Sequence, residues 1–252
     1  MTVKPSIKKI SSPPKIVVTI DVDGFLAPAL ELAADLAFEH RTALHGLFIE
    51  DLDLVTVAGL PFAREVCSTS ARPRMLDNQR LLRALNASSR LFRQSLEHHA
   101  ERLSLSWSYS RFRGRKRSME IGESAEAEFL IIGHPPNLRL RAAESKTILL
   151  LGNHNRRLYQ ALDAILTKLP GHSVDVLMVS AAGESAQKLP PQLARQFLLH
   201  PDWKLVQIDR DALPGKLQLK GGGFDFVIAQ RGDPALLQHI MPGATCPVIV
   251  VS

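Results

Sequence analysis

The sequence predicts an α/β protein built from two tandem copies of one domain, each a mostly parallel sheet flanked by helices. Three observations carry this. Residues 15–21 form an apolar strand that runs into a helical stretch, and residues 146–152 do the same. A second apolar run follows each, ending near Ile49 in the first half and near Val179 in the second. Trp107 stands 21 residues before Glu128-Phe-Leu-Ile-Ile-Gly133, and Trp203 stands 22 before Asp225-Phe-Val-Ile-Ala-Gln230. Matched order and spacing over two halves is the mark of a duplicated unit. The expected division is a flexible tail over 1–14, a first unit over 15–145 and a shorter second unit over 146–252.

The first half opens on a β-branched strand at 16–20, bounded by prolines before and Asp-Val-Asp-Gly after. Residues 25–39 follow as an amphipathic helix with Leu26, Leu30, Ala33, Ala34 and Ala37 on one side, and Pro28 is tolerated in its first turn. A strand at 43–49 completes a parallel crossover. Residues 51–71 are less regular. Residues 75–103 read as one long helix with Leu82, Leu85, Phe92, Leu96 and Leu103 inward and Arg80, Arg83 and Arg90 outward. A short strand at 106–112, a short helix at 119–127 and a strand at 129–132 close the half.

The second half repeats this more briefly, with strands at 147–151, 174–179, 205–208, 226–229 and 248–251 and helices at 158–169 and 189–200. The long basic helix has shrunk. Nine candidate strands result where two five-stranded sheets need ten. The strand at 147–151 is free to close the first sheet, to open the second, or to leave the first with four strands.

The chain has 252 residues, 45% hydrophobic and 22% charged, as ordinary globular proteins do. No apolar run reaches the ~20 residues a membrane helix needs. Two cysteines, Cys67 and Cys246, argue against a disulfide framework and for a reducing cytoplasm. The net charge of +6 is concentrated: residues 70–117 hold twelve Arg and Lys against Asp77, Glu97 and Glu101, a local +9 that leaves −3 elsewhere.

Residues 16–21, the helix at 29–37 and the strand after it resemble the opening of a universal stress protein domain. Glu128-Phe-Leu-Ile-Ile-Gly133 resembles that family's penultimate strand, and Cys246-Pro-Val-Ile-Val-Val251 its last. The resemblance spans both halves. It implies two tandem universal-stress-protein-like domains of the adenine nucleotide alpha hydrolase-like kind and a role in stress response or its regulation. It also implies association through the last strand, here residues 246–251. In the ATP-binding branch an acid ends the first strand, and a G-x2-G-x9-G-[ST] loop wraps the phosphates with backbone N–H groups.

On that template Asp21 matches the acid, with Asp23 and Gly24 in the following turn, and Gly133 matches the first glycine. Pro136 and Lys146 stand where the next two glycines belong. In the second half Gly152 stands for Asp21 and Gln230 for Gly133, so both nucleotide motifs are degenerate. His134, Arg139 and Arg141 could hold an anion without glycines; solvated loop residues are the plainer explanation.

The arginine face of the long helix, continued by Arg111, Arg113, Arg115, Lys116 and Arg117, could bind nucleic acid or another polyanion, and an acidic protein fits it equally well; a solvated helix face is the simpler account. His98 and His99 diverge on a helix and make a poor metal pair. No serine lies in a nucleophile elbow, and no histidine spacing suits a metal. Gly59-Leu-Pro-Phe62, with Val55 and Val57, either covers the sheet or forms a partner-binding lip. The expectation is a cytoplasmic, non-catalytic protein that acts through a protein partner or self-association, with no membrane span and no cofactor. The rivals are an ATP or AMP sensor using the first half alone and a polyanion-binding module.

Overall fold

Near-continuous apolar strands are the pattern of parallel sheets covered on both faces, and the chain builds one. The structure, a computed structural model, describes residues 16–20, 26–66, 73–114, 127–133, 145–152, 155–180, 189–209, 224–231, 244 and 246–252. The elements of the first half are β1 (Ile16–Ile20), α1 (Leu26–Glu39), β2 (Leu44–Asp51), α2 (Leu52–Ala58), β3 (Arg64–Val66), β4 (Pro73–Met75), α3 (Asn78–Arg102), β5 (Trp107–Gly114) and β6 (Phe129–Ile132). Those of the second are β7 (Ser145–Leu151), α4 (Arg156–Leu166), β8 (Ser173–Ser180), α5 (Pro191–Leu199), β9 (Trp203–Asp209), β10 (Phe226–Gln230) and β11 (Val248–Val251). The helix expected at 119–127 falls almost wholly outside the described residues.

Nine strands form one sheet in the order β5-β2-β1-β6-β11-β10-β7-β8-β9, and β3 and β4 make a separate ribbon. These nine are the nine strands expected from sequence. Every pairing in the large sheet is parallel except β6 with β11. Each half sets its first strand between its second and fourth and puts its third outside. Trp107 pairs with Leu44 and Trp203 with Val174, and each tryptophan opens the outermost strand of its half.

The strand at 147–151 opens the second half, where β7 pairs with both β8 and β10. The first half therefore has four strands, and β11 closes both halves at once, parallel to β10 and antiparallel to β6. This corrects the expectation of self-association through residues 246–251: both edges of β11 are spent inside the chain, which leaves no edge for another copy.

One core layer lies under the helices and gathers Phe48, Phe92, Phe129, Ile148, Ile165 and Ile249 from both halves. A second layer lines the opposite face with Leu47, Leu130, Leu149, Val227 and Val250. Each such buried side chain contributes about 1.5–3 kcal/mol. Helix α1 touches both α3 and α4, so the halves meet through helices as well as strands. Lys168 pairs with Asp35 across that seam.

Helix α3 begins at Asn78 because Pro73–Met75 is taken by β4 and Asp77 caps the helix, accepting the Gln79 N–H at 3.0 Å. Its buried stripe is Leu81, Leu85, Ser89, Phe92, Leu96 and Ala100. Leu82, expected inward, is 38% exposed. The helix lies close on β2 because Gly46 has no side chain: a Cβ there would stand 2.5 Å from the Leu96 Cδ2.

Candidate functional site

Ligands of open α/β sheets gather at the carboxyl ends of the central strands, so the ends of β1, β6, β7 and β10 come first. At the end of β1 the Gly133 N–H donates to the Thr19 carbonyl at 2.9 Å. Thr19 is fully buried, and its hydroxyl has no hydrogen-bond partner among the described residues. Asp21, Asp23, Gly24, Arg139 and Arg141 lie outside the described residues. Of the expected nucleotide positions only Gly133 is placed, and its own N–H is already engaged.

The second half differs. Gly152 has φ +130°, a backbone that glycine adopts freely and other residues do not. A Cβ on it would stand 2.6 Å from the Gln230 Cβ and 3.1 Å from its Oε1, so Gln230 fills the space above the strand end. The pairing of Gly152 with Asp21 is corrected here by one residue. Val17 and Thr19 alternate with Ile16, Val18 and Ile20, and Leu149 and Leu151 occupy the face of Val17. Aligning Lys15 with Lys146 would put matched side chains on opposite faces. Thr19 pairs with Ile132 and Leu151 with Ala229, so one residue further Gly133 stands across from Ile20 and Gln230 from Gly152.

Where the halves meet, an open polar cleft of about 430 Å³ lies among His40, Glu128, Arg157, Gln160 and Ser252. Arg157 pairs with Glu128 at 3.0 Å and donates to the Ser252 carbonyl at 2.9 Å, so its charge is met. The cleft was not foreseen, because its walls come from the residue after α1, the residue before β6, the start of α4 and the residue after β11.

The arginines foreseen on the long helix, Arg80, Arg83 and Arg90, are all exposed, as is Arg93. Arg111 on β5 donates to the Asn86 Oδ1 at 3.0 Å and pairs with Glu50. Asn86 is one turn from both Arg83 and Arg90. Arg113, two residues on, is exposed. Sequence periodicity showed the helix arginines; only the strand register brings β5 beside them.

On the other face of the same edge, His45 lies between Ser108 and Ser110, with Nδ1 to Ser108 Oγ at 2.7 Å and Nε2 to Ser110 Oγ at 2.9 Å. Burial lowers the His45 pKa, so the ring is held neutral. Sequence reasoning missed this trio because its members are over 60 residues apart. Burial pushes the Cys246 thiol up to about 12, which makes it inert. Val57, Leu60 and Phe62 are exposed, Phe62 to 73%, while Ala58 and Ala63 are buried and Val55 packs against the core. Among the described residues no group of three or more His, Cys, Asp or Glu could hold a metal, and no helix is long and apolar enough to cross a membrane.

No family model matches the chain. No curated protein matches it. Solved structures do. A universal stress protein from Archaeoglobus fulgidus DSM 4304 is 11% identical, with 95% of this chain and 97% of that one covered and a TM-score of 0.40. A protein of the universal stress protein family from Burkholderia pseudomallei is 14% identical, with 77% and 96% covered and a TM-score of 0.26. The cytoplasmic domain of a prokaryotic cation chloride cotransporter is 15% identical, with 95% of each chain covered and a TM-score of 0.39. The α/β fold stands on the strand order itself.

Proposed function

We propose that the chain is a non-catalytic, universal-stress-like protein of the cytoplasm that acts in stress response or its regulation by binding other proteins, without binding ATP. The observation that carries this is the second strand end, where Gln230 packs onto Gly152 at a carboxyl end of the kind where ligands of open α/β sheets gather. At the first strand end the glycine that would offer its N–H to a phosphate gives it to Thr19. The sequence adds that no glycine loop follows Ile132, since Pro136 and Lys146 replace its members. A protein partner suits an exposed surface that mixes apolar residues such as Phe62 and Val66 with a row of arginines.

A second reading, an adenine-nucleotide sensor in the first half, draws on the unpaired buried hydroxyl of Thr19 near the end of β1. Heating the purified protein and analysing the released small molecules by mass spectrometry decides between them. The expected result is no adenine nucleotide; ATP or AMP near one per chain would overturn the first reading.

A further inference from the structure

An edge strand exposes a row of unpaired backbone donors and acceptors, and proteins cover such rows, break them or use them. Among the described residues, strand β5 is one edge of the sheet and pairs only with β2, across eight residues. The Leu44 N–H donates to the Ser106 carbonyl at 2.9 Å, which fixes the alternation. Ser108, Ser110 and Phe112 then turn their backbone groups toward β2, and Trp107, Tyr109, Arg111 and Arg113 turn theirs outward.

The side chains on this edge are sorted by face. Arg111 is in register with Phe48, which lies under the helices, so Arg111 and Arg113 stand on the helix side. Above them runs the exposed row Arg83, Arg90 and Arg93, which brackets the Asn86 that receives Arg111. Glu50 is the acid that meets this group, through Arg111. The edge thus joins an open backbone ladder to a ridge of cations on one face, with Ser108, Ser110 and the half-buried Phe112 on the other.

We infer that the β5 edge receives an extended acidic segment of a partner protein as a tenth strand, with acidic side chains at every second position. Side chains of a strand alternate faces, so acids at i, i+2 and i+4 all point to the helix side. They meet Arg111 and Arg113 across the strands and the α3 arginines from above, while the intervening apolar residues meet Phe112. The charge complementarity selects an acidic partner, and the ladder selects a peptide. A nucleic acid offers phosphate acceptors but no donors spaced to satisfy the outward carbonyls of Trp107, Tyr109, Arg111 and Arg113. The inference rests on the protein-binding reading above and names the chemistry of the partner.

The test uses the full chain and a fluorescein-labelled peptide of alternating Glu and Val, followed by fluorescence anisotropy at low and physiological salt. The comparison ligands are a peptide of the same composition with its Glu residues in one block and a single-stranded DNA of equal charge. The alternating peptide is expected to bind about tenfold more tightly than either, and the double substitution Arg111→Glu, Arg113→Glu to weaken it by at least about tenfold, as the loss of a charge-assisted contact does. Arg113→Pro should weaken binding several-fold beyond Arg113→Ala, because only proline also removes the outward N–H. Urea midpoints confirm that each variant is folded. Equal binding of the three ligands, equal effects of Ala and Pro at 113, or no binding to the unaltered chain would each overturn the inference; in the last case the arginines only blunt the edge. Nucleotide in the heat-released fraction together with intact peptide binding would instead count against the proposed function alone.

Discussion

The two halves end their fourth strand on the same design with the bulk exchanged. In the first, a glycine, Gly133, stands across from Ile20. In the second, a glutamine, Gln230, stands across from a glycine, Gly152. Each pairs one small residue with one large, from opposite strands. The acids that precede these strands diverge as well. Asp225 stays within its half: it pairs with Lys146 at 3.1 Å and accepts the Thr147 N–H at 2.9 Å. Glu128 reaches across the seam to Arg157 of the other half. The second half is closed on itself, and the first is completed by the second, which supplies β11 as well as Arg157.

The largest expected effect tests that contrast. Both partners in the Asp225–Lys146 pair are nearly buried, at 12% and 14% side-chain exposure, so Asp225→Ala takes a carboxylate from a nearly buried cation and the acceptor from the Thr147 N–H together. A loss of about 3 kcal/mol is expected. Glu128 and Arg157 are more exposed, at 26% and 38%, and Glu128→Ala should cost under about 1 kcal/mol. Urea denaturation of the two variants measures both. Equal losses would mean that the seam is held as firmly as the interior of the second half.

Next comes the exchange of bulk. Gly152→Ala should cost about 2 kcal/mol, since the new Cβ collides with Gln230 and the backbone is unfavourable for any other residue. Adding Gln230→Gly removes the collision and leaves the backbone strain, so the double variant should recover only part of the loss. Full recovery would show that the φ of Gly152 relaxes freely and that the contact alone forbids a side chain.

What the sequence could show depended on how local its signals were. All nine strands of the large sheet were legible, because each is a short apolar run or, as in β5, a short alternation of polar and apolar residues. Trp107 and Trp203 were legible from spacing as markers of the outer strands, and each opens one of them. The ribbon of β3 and β4 was not, since Arg-Glu-Val and Pro-Arg-Met carry no alternation and are three residues each. The place of β11 between the halves was hidden too: an apolar strand declares that it is buried, not which neighbours bury it. Arg111 and Arg113 were seen only as a continuation of the arginine face, with no hint that they line an edge. The one-residue slip between residues 15–21 and 146–152 arose because two continuous apolar runs show no alternation in sequence, and the face each residue takes is visible only in a folded sheet.

The smallest effect separates the halves by acid. His45 in β2 and Asp175 in β8 each follow the residue opposite a tryptophan. His45 is buried between two serines, and burial lowers its pKa below the usual 6.5. The unfolded chain then binds a proton at higher pH than the folded one. Stability from this residue is complete above about pH 6.5, falls as the pH drops toward the folded pKa, and levels off below it. His45→Gln keeps a polar side chain between the serines and removes the titration. Urea midpoints from pH 8 to pH 5 should therefore fall less steeply for the variant than for the natural chain. Trp107 lies on the strand beside His45, and Trp203 in the other half, so fluorescence of Trp203→Phe and Trp107→Phe reports each half alone. If the fall appears at Trp107 and not at Trp203, the halves unfold separately despite the shared sheet; if both move together, β11 couples them into one cooperative unit.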